Sequence, residues 1–209
     1  MKLLLAIALA VLPLAQAAGP AAAPRPHTIV FFGDSLTAGY GLDDPEAEAY
    51  PALVQQKIEA AHLDWRVINA GLSGDTTAGG LHRVDWILRQ PVGIFFLALG
   101  ANDGLRGIDP DVTRRNLEEI VARVRSKAPN ATIIIAGMRM PPSMGEDYTQ
   151  RFQEVFPAVA AAAHTRLLPF LLEGVAGRPD LNQADAIHPN ENGAKRVADT
   201  VWQMLRPLL

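Results

Sequence analysis

A serine follows directly on an apolar, strand-like run in this sequence, and its position makes it a candidate nucleophile. Residues 30–32 are apolar, and Gly33, Asp34 and Ser35 come next. In an open parallel sheet, ligands bind beyond the carboxyl ends of the strands. A hydroxyl there becomes reactive only when a base, a group that orients the base and donors for the developing negative charge lie nearby. The chemistry of Ser35 therefore depends on residues far away in the chain.

His188 is the histidine best placed to act as the base. It lies three residues after Asp185, and an Asp-x-x-His turn can aim a carboxylate at Nδ1–H while Nε2 stays free to take the serine proton. An aspartate in such a place can also be a simple helix cap. Opposite a strand-end serine, however, the pair predicts a triad of Ser35, Asp185 and His188. The other four histidines, which we expect to be solvated, are His27, His62, His82 and His164.

Three groups could stabilise a negative oxygen beside the serine. Ser35 has its own N–H near a predicted helix start, Gly74 offers an N–H with no side chain in the way, and Asn102 offers a side-chain amide. Glycine and asparagine also dominate ordinary turns, so either one alone is ambiguous. Their shared location after strands predicts an oxyanion hole. We expect Asp34 to accept hydrogen bonds from loop amides rather than to orient the base.

Short apolar runs alternate with longer amphipathic runs, a pattern typical of a parallel α/β sheet. The predicted strands span residues 28–32, 65–69, 93–98, 132–136 and 167–170. The predicted helices span residues 49–61, 77–89, 109–128, 148–164 and 191–205, and Pro157 is expected to kink or split the fourth of them. Right-handed crossovers then give a three-layer α/β/α, flavodoxin-like sandwich with a five-stranded parallel sheet. The loops that follow the strands meet at one edge of such a sheet.

Composition indicates an ordinary globular chain of 209 residues, 49% of them hydrophobic. The slight acidic excess is spread along the chain and argues against a nucleic-acid partner. The absence of cysteine excludes disulfides and thiol nucleophiles. The histidines and carboxylates lack the usual metal-ligand spacings, so we expect neither a metal nor a cofactor. We also expect a monomer, since no exposed apolar stripe argues for a dimer.

The N-terminus has the features of a secretory signal peptide. Lys2 is followed by an apolar run over residues 3–14 and by Ala15-Gln16-Ala17, a small-x-small cleavage pattern. A retained membrane anchor is the alternative, but a span takes about 20 apolar residues and this run is shorter. We expect cleavage after Ala17, a flexible leader over residues 18–26 and a single domain over residues 27–209. The product would be exported to the periplasm or secreted, without stable membrane insertion.

Four stretches of the sequence resemble the signature blocks of the GDSL/SGNH hydrolase family. They are Gly33-Asp34-Ser35-Leu36, Gly74, Gly100-Ala101-Asn102-Asp103 and Asp185-x-x-His188. Residues 69–76, 102–107 and 187–190 are similar in particular to the bacterial periplasmic thioesterase I, lysophospholipase and arylesterase group. The resemblance implies the SGNH hydrolase fold, the triad above and the oxyanion hole above. Ala101 departs from it, because that branch has a second glycine there.

Two loops beyond the strand ends are predicted to contact the substrate. Leu105 and Arg106 lie in a segment bounded by glycines, which could act as a flap. Met140 and Pro141 lie in a methionine-rich loop after the fourth strand, whereas Met138 is expected to fill the core. The pair of loops indicates an apolar groove for small-molecule or lipid esters and thioesters with medium or long acyl chains.

Two other functions remain open from the residues alone. A carbohydrate acetylesterase would use the same triad with a smaller, more polar pocket. A catalytically silent periplasmic binding module could keep the fold without turnover. Preference among esters of different acyl-chain length distinguishes an acetylesterase from an enzyme that acts on longer chains. Covalent labelling of Ser35 distinguishes an active enzyme from a silent binding module.

Overall fold

Five parallel strands form the centre of the computed structural model, which describes residues 27–209. The strands are β1 (Thr28–Gly33), β2 (Arg66–Gly71), β3 (Ile94–Ala98), β4 (Thr132–Ala136) and β5 (Arg166–Leu168). Their spatial order is β2-β1-β3-β4-β5, and every neighbouring pair is parallel. This is the flavodoxin-like strand order, whose ligand sites lie where the order reverses beside β1. The predicted fold class is confirmed.

Eight α-helices surround the sheet within the described residues. They are α1 (Ser35–Ala38), α2 (Pro45–Glu48), α3 (Tyr50–Ala60), α4 (Thr77–Ile87), α5 (Ala101–Leu105), α6 (Pro110–Lys127), α7 (Glu146–Ala162) and α8 (Glu191–Leu205). Short 3₁₀ turns span Pro142–Met144 and Arg206–Leu208. Helix α3 packs against α8, whereas α6 packs against both α4 and α7, so the helices form two layers.

Buried phenylalanines fix β1 and its neighbour β3 in the core of the protein. The side chains of Phe31 and Phe32 in β1 are fully buried, and so are those of Phe95 and Phe96 in β3. Strands covered by helices on both faces read as continuous apolar runs, which is the pattern of these two strands. Gly33 at the end of β1 pairs with Gly71 of β2 and with Ala98 of β3. Three strand ends are therefore level at the edge that carries Ser35.

The predicted strands and long helices are confirmed, with shifts of one or two residues at most ends. The short helices α1, α2 and α5 were not predicted, because four or five residues carry no periodicity. A split at Pro157 is wrong, since α7 continues through it. Phe152 and Phe156 before the proline and Val159 after it are all buried, and this packing offsets the missing backbone hydrogen bond.

The N-terminal predictions fall outside the described part of the chain. Both the signal peptide over residues 1–17 and the leader over residues 18–26 precede residue 27, where the description begins. Among the helices formed by residues 27–209, none has the length and apolar character to cross a bilayer.

Candidate active site

Ser35 is presented by a sharp turn from β1 into α1. Asp34 caps this helix, and its Oδ1 accepts the Leu36 N–H at 3.1 Å. A Cβ at Gly33 would lie 2.0 Å from Oγ1 of Thr37 and 2.9 Å from the Ala98 carbonyl oxygen. Only glycine leaves room for this close approach between the strand end and the helix. The turn places the Ser35 side chain at the sheet edge with partial exposure.

The structure brings Ser35, His188 and Asp185 into one hydrogen-bonded chain. Nε2 of His188 lies 2.9 Å from Oγ of Ser35, and Nδ1 lies 2.6 Å from Oδ2 of Asp185. When Nδ1–H donates to the carboxylate, Nε2 is left as an acceptor for the serine hydroxyl. The geometry is therefore that of a base held in one tautomer by an acid.

Asp185 is fixed by a tight turn of its own. Its Oδ1 accepts the N–H groups of Ile187 at 2.9 Å and of His188 at 3.0 Å, while Ala186 takes a left-handed φ of 58°. Burial opposes ionisation of this carboxyl, but the hydrogen bonds from the His188 ring and from these two amides outweigh it. Together they lower the pKa of Asp185 to about 2. The carboxylate thus stays charged beside the imidazole at all ordinary pH values.

Gln183 and Tyr40 support the histidine, and the sequence did not reveal either of them. The Gln183 N–H donates to the His188 carbonyl at 2.8 Å, and its side-chain amide donates to the carbonyls of Tyr40 at 2.7 Å and Pro189 at 3.0 Å. The ring of Tyr40 lies 4.8 Å from the imidazole between centroids. These contacts tie the histidine loop to the turn after α1. No local pattern marks a loop glutamine or an exposed tyrosine for such a role.

The three predicted oxyanion donors line the same cavity beside Ser35. Gly74 has a left-handed φ of 81°, which favours glycine, although the space around its Cβ position is nearly open. Asn102 donates one amide hydrogen to the Asp75 carbonyl at 3.0 Å, which orients the amide and leaves its second hydrogen free to bind a ligand. Within residues 27–209, the N–H groups of Ser35 and Gly74 donate to no protein acceptor.

Asp34 lies next to Ser35 but is not part of the hydrogen-bonded chain of Ser35, His188 and Asp185. Its Oδ1 binds the Leu36 amide, as predicted, and its Oδ2 is buried without a hydrogen-bond partner among the described residues. Desolvation is the main cause that raises the pKa of Asp34 to about 7; the Leu36 amide opposes the rise, and the nearby Asp75 and Asp103 add to it. Asp103 is itself buried and accepts hydrogen bonds from the Thr77 N–H and hydroxyl at 2.8 and 2.5 Å.

A cavity of about 900 Å³ opens from Ser35 and is lined mainly by apolar side chains. Leu105, Met140 and Pro141 lie on its walls, as expected for substrate-contacting residues, and buried Met138 also reaches it. Met140 packs so closely on Gly104 that a Cβ there would lie 2.2 Å from its sulfur.

Arg106 differs from the other predicted substrate-binding residues. It is absent from the cavity wall, and its guanidinium donates instead to the Gly74 carbonyl at 2.9 Å. The remaining four histidines, at positions 27, 62, 82 and 164, are all exposed, as predicted.

Comparison with known proteins places the chain among ester hydrolases. The model of the GDSL-like lipase/acylhydrolase family matches residues 31–196. Esterase TesA of Pseudomonas aeruginosa is 39% identical over 184 residues, covering 88% of this chain and 90% of that protein. Thioesterase 1/protease 1/lysophospholipase L1 of Escherichia coli is 37% identical over 183 residues, covering 87% and 85%. An arylesterase of Vibrio mimicus is 33% identical over 186 residues, covering 88% and 91%.

Solved structures agree with the fold. A crystal structure of TesA superposes with a TM-score of 0.81 at 40% identity and covers 87% of this chain and 99% of its own. A psychrotrophic esterase, EstA from a Pseudoalteromonas species, inhibited by monoethylphosphonate, has the same TM-score at 33% identity and covers 87% and 98%.

Proposed function

This chain belongs to the GDSL-like lipase/acylhydrolase family, and from that premise we propose that it hydrolyses carboxylic esters and thioesters through an acyl-serine intermediate. The observation that carries the proposal is the unbroken chain of hydrogen bonds from Ser35 through His188 to Asp185, at 2.9 and 2.6 Å. The names of the relatives, which are esterase, thioesterase, lysophospholipase and arylesterase, support the same reaction class.

Acylation begins with transfer of the Ser35 proton to Nε2 of His188 as Oγ attacks the carbonyl carbon of the ester. The carboxylate of Asp185 stabilises the imidazolium that forms. Collapse of the tetrahedral intermediate breaks the bond to the leaving group, and His188 gives the proton to the departing oxygen or sulfur. Water then attacks the acyl-serine by the same route, with His188 again the base.

The negative oxygen of each tetrahedral intermediate would bind the N–H groups of Ser35 and Gly74 and the side-chain amide of Asn102. These donors are fixed before the reaction starts, so no reorganisation is needed when the charge develops. Support comes from their shared place on the cavity wall and from the bond that orients the Asn102 amide.

The apolar cavity suits an acyl chain of medium or long length. Leu105, Met140 and Pro141 are proposed to contact that chain, as their place on the wall suggests. Arg106 would act on substrate binding indirectly, through its hydrogen bond to the Gly74 carbonyl. The roomy apolar walls favour this substrate class over the small polar acyl group of a carbohydrate acetylesterase.

We further propose that the enzyme is exported. Residues 1–17 would be a signal peptide cleaved after Ala17, residues 18–26 a leader and residues 27–209 a single catalytic domain that works as a monomer in the periplasm or outside the cell. Sequencing the N-terminus of protein recovered from periplasm and medium tests the cleavage site, and a start at Met1 would contradict export with cleavage.

Gel filtration tests the oligomeric state, and a dimer would contradict a monomeric enzyme.

A panel of nitrophenyl esters and acyl thioesters tests the reaction with wild type, Ser35→Ala and Ser126→Ala, the last an exposed serine on α6. We expect turnover of esters and thioesters that falls by roughly 10⁴-fold or more in Ser35→Ala and is unchanged in Ser126→Ala. Activity that survives Ser35→Ala would overturn the mechanism. A sharp preference for acetate would favour the acetylesterase instead.

A further inference from the structure

Arg83, in α4, joins the backbone segments that surround the candidate oxyanion hole. Its Nη2 donates to the Gly33 carbonyl at 2.8 Å, its Nη1 to the Ala70 carbonyl at 2.8 Å and its Nε to Oδ2 of Asp75 at 2.7 Å. Every nitrogen of the guanidinium is therefore bound to a different segment of the chain. These segments are the end of β1, the end of β2 and the loop that leads into α4.

Two of the three partners of Arg83, Gly33 and Asp75, lie within two residues of a proposed oxyanion donor. Gly33 precedes Asp34 and Ser35, and its carbonyl also accepts the Leu72 N–H at 3.0 Å. Asp75 follows Gly74, and its backbone carbonyl accepts the Asn102 amide at 3.0 Å. One guanidinium thus connects the segments that carry the Ser35 and Gly74 N–H groups, and through Asp75 it also reaches Asn102.

Packing leaves the guanidinium little freedom to move. Its Cζ lies 3.9 Å from the centre of the Phe32 ring, and the side chains of Arg83 and Asp75 are only 21% and 6% exposed. A Cβ at Gly79 would lie 1.9 Å from Oδ1 of Asp75, so that carboxylate rests on the backbone of α4. A planar fork that binds three acceptors cannot be replaced by lysine, whose ammonium is a single point charge.

We propose that Arg83 is a positioning residue that holds the oxyanion hole in its reactive geometry. The inference rests on the proposed function, because it assigns Arg83 a part in that same reaction. Arg83 does not line the cavity, so it would not contact the acyl chain. Its loss should weaken stabilisation of the transition state and leave ground-state binding nearly unchanged. A displacement of about 1 Å in such donors can cost roughly 100-fold in rate.

The test compares Arg83→Gln and Arg83→Lys with wild type on nitrophenyl butyrate. We expect kcat to fall by roughly 10- to 100-fold in Arg83→Gln, and by a smaller factor in Arg83→Lys, with KM within about twofold of wild type. Arg123→Gln is the matched control, because Arg123 of α6 likewise makes several hydrogen bonds, to Glu119 in its own helix and to Leu81 and Asp85 of α4, but lies away from the cavity. Its kcat should match wild type.

A double-mutant cycle with Asn102→Ala separates positioning from general stability. If Arg83 acts through the oxyanion hole, Arg83→Gln should cost much less in kcat when Asn102 is already alanine. Additive losses, or a wild-type kcat in Arg83→Gln, would overturn the inference. If Arg83→Gln fails to fold, Arg83→Lys is the test variant, and a wild-type kcat in Arg83→Lys would contradict a positioning role for Arg83. Wild type that hydrolyses no ester, or does so without Ser35, would instead refute the proposed function.

Discussion

Nε2 of His188 lies 2.9 Å from Oγ of Ser35, although 153 positions separate the two residues in the chain. The sharp turn after β1 presents the serine, and the turn from Asp185 to His188 presents the imidazole. The left-handed φ of Ala186 turns the backbone so that the Asp185 carboxylate contacts the His188 ring. Two short turns on separate parts of the fold thus bring the serine and the imidazole together.

Asp185→Asn should remove most of the activity without unfolding the protein. The amide cannot stabilise the imidazolium, and it favours the tautomer with the proton on Nε2. We expect kcat to fall by roughly 10³- to 10⁴-fold, as in other serine hydrolases. Steady-state kinetics with a nitrophenyl ester measures the change. Asp180→Asn removes an exposed carboxylate near the same loop and should have no effect; a loss below tenfold in Asp185→Asn would argue against the triad.

Asn102→Ala should lower kcat far more than it raises KM. Removal of one oxyanion donor typically costs roughly 10²- to 10³-fold in kcat. Asn192→Ala, at an exposed position in α8, is the control and should behave as wild type. If kcat is unaltered in Asn102→Ala, and KM changes equally in Asn102→Ala and Asn192→Ala, then Asn102 only stabilises the conformation of its loop.

Asp34→Asn should change how stability depends on pH. Because burial raises the pKa of Asp34 to about 7 from 3.8, the folded protein keeps this proton in a range where the unfolded chain has lost it. The free energy of unfolding contributed by this group therefore falls as pH rises from about 4 to 7, by up to about 4 kcal/mol. Asparagine cannot ionise, so the variant should gain stability relative to wild type as the pH rises.

Urea unfolding at pH 4 and pH 8 measures this relative gain. Asp43→Asn, which removes an exposed carboxylate, is the comparison and should show no such gain between the two pH values. If the free energies of unfolding of Asp34→Asn and wild type differ by the same amount at both pH values, the conclusion that folded Asp34 keeps its proton in this range is contradicted.

Met140→Ala should alter the preference for acyl length. Met140 lies on the cavity wall and is packed on Gly104, so its truncation removes apolar surface that a long chain would contact. A loss of about 1 kcal/mol of contact corresponds to roughly fivefold in kcat/KM. We expect that loss for the octanoate ester and little change for acetate. Met144→Ala, in the same loop but outside the wall, is the control, and equal effects on both esters would refute this role.

The strands, and the grouping of Ser35 with Asp185 and His188, were predictable from the sequence because the strands and turns that carry these residues have local patterns. The apolar runs of β1 and β3 are long enough to be recognised, and an Asp-x-x-His turn is a short-range geometry. Parallel topology then brings the loops after the strands to one edge, which is how Gly74 and Asn102 could be placed near Ser35.

The remaining contacts depend on long-range geometry. Arg83 binds two carbonyls and one carboxylate from three segments, and carbonyl groups carry no sequence signal. Arg106 was expected to contact substrate, but the short helix α5 turns its guanidinium toward the Gly74 carbonyl. The continuity of α7 through Pro157 reflects tertiary packing that outweighs a local preference.

Covalent labelling with a fluorophosphonate tests the central claim most directly, because the reagent phosphonylates a serine only when base and oxyanion donors activate it. Intact-mass and peptide spectra of wild type, Ser35→Ala and His188→Ala would locate and quantify the adduct. We predict one adduct on Ser35 in wild type, none in Ser35→Ala and strongly slowed labelling in His188→Ala. An adduct on another residue, or labelling of His188→Ala at the wild-type rate, would contradict a serine nucleophile activated by His188.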